Sequence, residues 1–570
     1  MDNQLPKPFI ITLAVLQAIA LTLLYSSIEN NIWPATNPVW LISLITFSMS
    51  FPLLVLMSVN KSNIKSALIL ILPFSLLLSL LGAYVGFQQE PQEYVSNGDL
   101  TSVFIFTVLI AGFKGLMYIQ QFGSSVSISY SSLFKLSWRN FIIFAECWLF
   151  VLIFWGILNL GAALFDILDI NFFSELLRNE WFWIPTLTLA FAFASVIFRK
   201  LLNVEDNIAF LLQTLIKFLL PVLSVISLSF LATLPFTGLS KLWETGSGSL
   251  LVMWLQVLTL FFVNTVYKDE SSVRPYHLIL HRLVFISVAL LPVYSVISAY
   301  GIYQRIEQHG LTVDRCWGIL IWFLLACFSF SYLVGIIAKR DNWLEPLSKI
   351  NIVMGWVVLV SMLAVNSPLL NFQSLSAQSQ IGRLDDGKVT IEEFDYYYFE
   401  HSLGRQGYLA MQLLKQKIKT SHPEQHTTID RMYANDEFTS TQMGTVDDFI
   451  KQSTFWPSRD LIPQDLIEMA FSEYYSHGRN SLKESSFYFI GIDLNKDDEL
   501  EFILINESND YTSAYFWSLD SGVWVSRYIN VENPEHVKLL KTIIDNDEIF
   551  IVEPEYSDLK IGDVYFEMSR

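Results

Sequence analysis

Charge is scarce in this chain and cysteine scarcer still, and each shortage excludes a class of protein. Only 16% of the 570 residues are Asp, Glu, Lys or Arg, against about 25% in an ordinary soluble domain. The three cysteines, Cys147, Cys316 and Cys327, are too few and too far apart for a disulfide framework or a zinc cluster. Cations are outnumbered, with 36 Lys and Arg against 54 Asp and Glu, which argues against nucleic acid as a partner because phosphate binding needs basic surface. No phosphate-binding loop, nucleophile elbow or dinucleotide glycine fingerprint is present. His277 and His281 stand four apart, but Leu278, Ile279 and Leu280 between them lack the glutamate of a zinc-hydrolase helix. They read as interfacial histidines beside Arg274 and Arg282.

What the chain has in quantity is apolar surface, at 52% hydrophobic and a mean hydropathy of +0.42. About 20 apolar residues in helix cross a bilayer's hydrocarbon core. Eleven runs meet that length: Phe9–Ile28, Pro38–Val59, Ala67–Phe87, Leu100–Ile119, Phe141–Phe165, Trp181–Phe198, Phe210–Leu234, Leu250–Tyr267, Leu283–Tyr303, Trp317–Ala338 and Ile350–Leu370. The first lacks a small-x-small cleavage site and reads as a retained span. Lys217 and Pro221 are expected to break the first half of the seventh. The fold class that follows is an α-helical polytopic membrane bundle of about eleven transmembrane helices, followed by a soluble α+β domain.

The domains expected are the bundle (1–370), a Ser/Gln-rich linker (371–390) and an acidic soluble domain (391–570). Lys and Arg balance Asp and Glu at 19 each through Leu370, and the remaining residues hold 17 against 35, so the tail alone carries the formal charge of −18. In the tail, helical patterning over Glu392–Lys419 and Asp465–Tyr475 gives way to strand-like runs from Phe487 onward. Orientation comes from the loops. One side carries 13 Lys and Arg and the other few, among them Arg178, Lys241 and Arg305, so the N-terminus is expected in the cytoplasm and the tail outside.

Ionisable groups at depth are few, and such groups mark pathways or partners. Glu146 lies in the fifth run, with Arg139 seven residues earlier on nearly the same helical face. Lys114 and Lys217 read as lysines snorkelling to the cytoplasmic interface. Gly82 and Gly86 form a GxxxG pattern, expected to serve packing within the bundle in preference to dimerisation. Pro52, Pro73, Pro221 and Pro292 are expected to kink their spans.

Two tail segments look like calcium loops. Asp385–Phe394 ends as such a loop does, but Gly382 and Leu384 stand where oxygen ligands are needed. It reads instead as a polar turn opening a helix through Tyr398, with Thr390 and Glu393 spaced as a capping box. In the second, Asp493, Asn495, Asp497, Glu499 and Glu501 alternate between two strand-like runs, giving a candidate calcium site. Asp498 replaces the usual glycine, and a solvated acidic hairpin is the competing reading.

Tyr303-Gln304-Arg305, Gly310-Leu311-Thr312 and Arg315, together with Arg383-Leu384, Gly387, Glu393-Phe394-Asp395 and Leu403-Gly404-Arg405-Gln406-Gly407, resemble an uncharacterised bacterial inner-membrane family, one of the domain-of-unknown-function classes. The resemblance covers the late spans and the start of the tail. It implies a bacterial inner membrane and a periplasmic tail, and it implies no reaction. Arg305, Arg315, Arg383 and Arg405 would then lie on one outward side and are expected to meet at the membrane–tail junction, where lipid headgroups, anionic glycans or the acidic tail would suit them. Function is read as a non-enzymatic envelope sensor or binding protein, with the bilayer and another envelope protein as partners. The alternative is a transporter or flippase using the bundle and Glu146.

Overall fold

The computed structural model describes residues 7–529 except for 61–62, 96–99, 124–127, 201, 240–241, 243–247, 268–274, 341–342, 434–444, 477–484, 495–499, 509–511 and 521–522, and beyond 529 only Ile549 and two short strands. The chain forms two compact units, Met1–Tyr433 and Ala434–Arg570.

The first unit opens with α1 (Lys7–Glu29), α2 (Pro38–Ser58), α3 (Ile64–Phe87), α4 (Leu100–Gly123), α5 (Tyr130–Asp166), α6 (Phe172–Arg178), α7 (Glu180–Phe198) and α8 (Leu202–Thr237). It continues with α9 (Gly248–Val266), α10 (Leu278–Ala289), α11 (Leu291–His309), α12 (Val313–Lys339) and α13 (Leu344–Ala364). All eleven expected spans are helices long and apolar enough to cross a membrane, α10 and α11 together making the ninth. This is a multi-pass membrane protein. Large apolar side chains such as Ile69, Leu80, Phe218 and Ile337 face outward, as they do when lipid replaces water. Arg199 at the end of α7 donates to the carbonyls of Leu56 and Val59 and to Asn60 Oδ1, satisfying the last turn of α2.

The prolines act unequally. Pro292 splits the ninth span at Leu290. Pro221 does not break the seventh, which runs unbroken from Leu202 to Thr237. A proline there removes the N–H that would reach Lys217; the Tyr276 hydroxyl donates to the Lys217 carbonyl instead, at 2.5 Å. The last span ends at Ala364, six residues before its expected end, with a short 3-10 turn at Pro368–Leu370.

Four further helices complete this unit: α14 (Phe372–Asp385), α15 (Tyr396–Ser402), α16 (Gly404–Ile418) and α17 (Pro423–Met432). The segment expected to be a linker is therefore mostly helix. Asn371 caps its start through Ser374 N–H at 2.9 Å. At its end Gly387, at φ 69°, completes a Schellman turn in which Lys388 N–H reaches Arg383 O and Gly387 N–H reaches Leu384 O. The Thr390–Glu393 capping bonds form, but the helix starts only at Tyr396, capped by Asp395. Ala377, Phe394, Phe399, Leu403, Met411 and Leu414 share one core, so these helices form a platform belonging to the membrane unit. The compact unit that holds the spans accordingly runs to Tyr433.

The second unit is α+β, as expected. It contains α18 (Val446–Lys451), β1 (Ser453–Trp456), α19 (Gln464–Ser476), β2 (Ser485–Ile492), β3 (Glu501–Ser508), β4 (Thr512–Asp520), β5 (Val523–Ile529), β6 (Leu559–Ile561) and β7 (Val564–Phe566). Strands β1 to β5 form one sheet in sequence order, β1 parallel to β2 and the rest antiparallel. Phe487, Phe489, Phe502, Leu504 and Trp517 cover one sheet face with Phe449, Leu466, Ile467 and Ala470 of the helices.

Thr445 and Asp448 cap α18 reciprocally, with Asp448 N–H to Thr445 Oγ1 at 3.2 Å and Thr445 N–H to Asp448 Oδ2 at 3.0 Å. The hydrogen bonds from the Thr445 backbone, then from its hydroxyl, then from Lys451 bring the Asp448 carboxyl down to about 2. A folded-state value below the unfolded one contributes stability that is complete above the ordinary value near 3.8 and is lost as pH falls through about 2. Asp448→Asn should therefore flatten the acid-induced loss of near-ultraviolet circular dichroism between about pH 4 and pH 2. An unchanged profile would show that the cap contributes nothing there.

Candidate functional site

The turn from α11 to α12 is short, and its backbone groups need partners. Gly310, at φ 74° and ψ −175°, ends α11, and Thr312 caps α12 through Arg315 N–H. The last carbonyls of α11 accept from the platform. Arg383 donates Nη1 to Glu307 O at 3.1 Å and Nη2 to Gln308 O at 2.7 Å, while Gln380 Nε2 reaches His309 O at 3.0 Å and Leu311 O at 3.1 Å. Arg315 folds back to Gly310 O at 2.7 Å. Donors of the turn are met from the same side, Leu311 N–H by Ser379 Oγ at 3.0 Å and Val313 N–H by the Tyr398 hydroxyl at 2.8 Å. Cationic groups on C-terminal carbonyls also complement the helix dipole.

The expected arginine cluster is thus partly realised. Arg305, Arg315 and Arg383 gather, the first and last close enough to act on the charge of Arg315. Arg405 does not join them. It grips the segment just beyond α3, with its N–H on Gln88 O at 2.9 Å, Nη1 on Glu90 O at 3.0 Å and the guanidinium 4.2 Å from the Phe87 ring centroid. Gln406 Nε2 adds a bond to Gln88 Oε1 at 2.9 Å, and Asn371 reaches the Tyr84 hydroxyl at 2.8 Å. One platform therefore holds the ends of the third span and the turn between the ninth and tenth. The arginines of both grips end on main-chain carbonyls, which carry no sequence signal.

Arg139 and Glu146 do not pair. Arg139 Nη2 lies 3.4 Å from Arg199 O at the end of α7. Glu146 Oε2 is buried without a hydrogen-bond partner. Gln120 and Asn140 exchange amide hydrogen bonds of 3.1 and 2.8 Å between the antiparallel helices α4 and α5. Six residues along each helix from that pair, about 9 Å, stand Lys114 and Glu146 at equal depth, and no ion pair joins them among the described residues. Taken alone, Lys114 reads as a lysine snorkelling to the interface. The antiparallel register was the signal that relates it to Glu146.

A second polar layer consists of uncharged residues that a census of ionisable groups passes over. Gln256 Nε2 donates to Ser295 Oγ at 2.7 Å and to Ser329 Oγ, while Gln256 Oε1, Ser287 Oγ and Ser298 Oγ are buried without partners. Asn264, Tyr332, Asn351 and Tyr130 form a network joining α9, α12, α13 and α5. His281 is buried with Nδ1 3.0 Å from the Tyr267 hydroxyl.

Of the candidate calcium ligands, Asn495, Asp497 and Glu499 lie outside the described residues. Asp493 and Glu501 flank them at the ends of β2 and β3, and Glu501 Oε2 accepts Leu494 N–H at 2.7 Å. Among the described residues no group of three or more His, Cys, Asp or Glu is placed to hold a metal.

A sequence-family model described as "Domain of unknown function (DUF4153)" matches residues 5–414. That stretch contains every span and both grips of the platform, and it ends before Ala434–Arg570. No curated protein and no solved structure matches the chain.

Proposed function

The chain belongs to the DUF4153 family, and from that premise we propose that it is a non-enzymatic envelope protein whose platform binds a ligand and relays the bound state to the spans. The observation that carries the reading is the double grip: Arg383 and Gln380 on Glu307–Leu311, and Arg405 and Gln406 on Gln88–Glu90. A body fixed to three spans at two places cannot move at one without loading the other. The excess of Lys and Arg on one set of loops supports a cytoplasmic N-terminus and an outward platform and tail. A bacterial inner membrane, with the tail in the periplasm, is part of the same reading.

Hydrogen exchange on the full chain in lipid nanodiscs tests it. Arg383→Gln should speed exchange at His309–Val313 and also at Gln88–Glu90. Acceleration confined to His309–Val313 would overturn the relay.

Transport is the second reading, favoured by Lys114 and Glu146 at one depth and by the broken ninth span beside the Gln256 layer. In a strain lacking the chain, Lys114→Met and Glu146→Gln should complement as well as wild type if the chain relays. Loss of complementation at normal expression would favour transport.

A further inference from the structure

Next to the Arg405 grip lies an open cleft of about 480 Å³, lined by Thr36, Glu90, Gln92, Arg405, Tyr408 and neighbouring residues. Arg405 commits Nη1 to the Glu90 carbonyl, and its Nη2 and Nε make no hydrogen bond among the described residues. Tyr408 stacks flat on Tyr94 at 5.5 Å between centroids. Among the described residues the Glu90 carboxylate, the Tyr408 hydroxyl and the Thr36 hydroxyl make no hydrogen bond or ion pair. A cation and an anion thus line one cleft without neutralising each other.

The surroundings set its depth. Trp33 and Trp40, within a few residues of Thr36, are 64% and 54% exposed and lie 6.5 Å apart. Ile32 and Phe87 are exposed as well. Exposed tryptophans at the ends of spans mark the headgroup level of a bilayer. A ligand reaching this cleft from the lipid side presents a phosphodiester first and its headgroup substituent just beyond.

We infer that the cleft binds the headgroup of an ethanolamine phospholipid. The guanidinium of Arg405 takes the phosphodiester in charge-assisted hydrogen bonds. The primary ammonium donates to the Glu90 carboxylate and to the Thr36 and Tyr408 hydroxyls. A choline headgroup has no N–H to donate, and a glycerol headgroup has no cation for Glu90. This names the ligand that the relay reading leaves open and rests on that reading for its consequence in the spans, while the binding itself is tested separately.

The experiment is native mass spectrometry of the full chain released from nanodiscs of equimolar ethanolamine, choline and glycerol phospholipids with identical acyl chains. Wild type should retain the ethanolamine lipid at least about ten-fold over the choline lipid, the value of one good hydrogen bond to a charged group. Glu90→Gln should bring the two within about two-fold, and Tyr408→Phe should fall between. Because Arg405 also braces Gln88–Glu90, those two variants, which leave its carbonyl bonds in place, carry the test. Soluble glycerophosphoethanolamine at millimolar concentration should displace the retained lipid, and glycerophosphocholine should not. Equal retention of all three lipids, or a preference unchanged by Glu90→Gln, overturns the site. Neither result alters the exchange test of the two grips, so the two readings fail separately.

Discussion

Gly310→Ala should be among the most destabilising single-methyl additions in the membrane unit, lowering stability by about 2–4 kcal/mol. Two costs add. The backbone at φ 74° and ψ −175° lies in a region essentially restricted to glycine, at about 1–3 kcal/mol for other residues. A Cβ there would also stand 2.5 Å from Arg383 Cδ and 2.9 Å from Gln380 Nε2. Arg383 has little freedom to retreat, since both its terminal nitrogens are bonded to α11 carbonyls. Two controls separate the costs. Gly387 shares the positive φ but has open space around its Cβ position, so Gly387→Ala should cost only about 1–2 kcal/mol. Gly318 lies inside α12 with nothing within 4 Å, so Gly318→Ala should be neutral or gain up to about 1 kcal/mol of helix propensity. Apparent melting midpoints of the full chain in one detergent should rank Gly310→Ala lowest and Gly318→Ala highest. Equal midpoints for Gly310→Ala and Gly387→Ala would mean that the contact with Arg383 is not tight.

Gly86→Val should be at least as damaging, with loss of folded yield as its expected mark. A Cβ at Gly86 would lie 2.3 Å from Pro38 O and 2.7 Å from Val39 Cα, so the obstacle is the backbone of α2 and no rotamer change relieves it. At Gly82 the nearest atom is the Thr46 hydroxyl at 2.9 Å, a side chain that can turn, and Gly82→Ala should cost less. Overpacking costs about 1–3 kcal/mol when neighbours can yield and more when they cannot. Light scattering of purified protein settles the role of this glycine pair. As a packing stripe, its valine variant loses folded protein at an unchanged oligomeric state. A dimerisation stripe would instead give a stable chain with altered mass.

The spans were readable because the bilayer demands about 20 apolar residues in succession, a signal too long to arise by accident. The seventh misled at Lys217 and Pro221 because the donor that replaces the proline N–H, Tyr276, sits 59 residues away in sequence. The segment after Leu370 misled for a different reason. Ser- and Gln-rich composition suggests a flexible linker, but Phe372, Ser376 and Ala377 are the buried residues of a capped helix. The α+β character of the tail was legible from its alternating strands, whereas the four-residue β1 carried too little pattern to be seen. Of the site, the arginines were legible in the sequence but not their partners. Arg383, Arg315 and Arg405 all end on main-chain oxygens, and every residue offers one.

The grip of Arg405 on Glu90 joins residues 315 positions apart. At elongation rates of about 5–20 residues per second, roughly 15–60 s pass between synthesis of one and the other. During that interval the third span is made while its C-terminal end lacks these partners, and eight further spans follow before the platform is made. Completion of the membrane body is thus deferred to a late event in the life of the nascent chain, when the segment after the final span folds back over helices laid down long before.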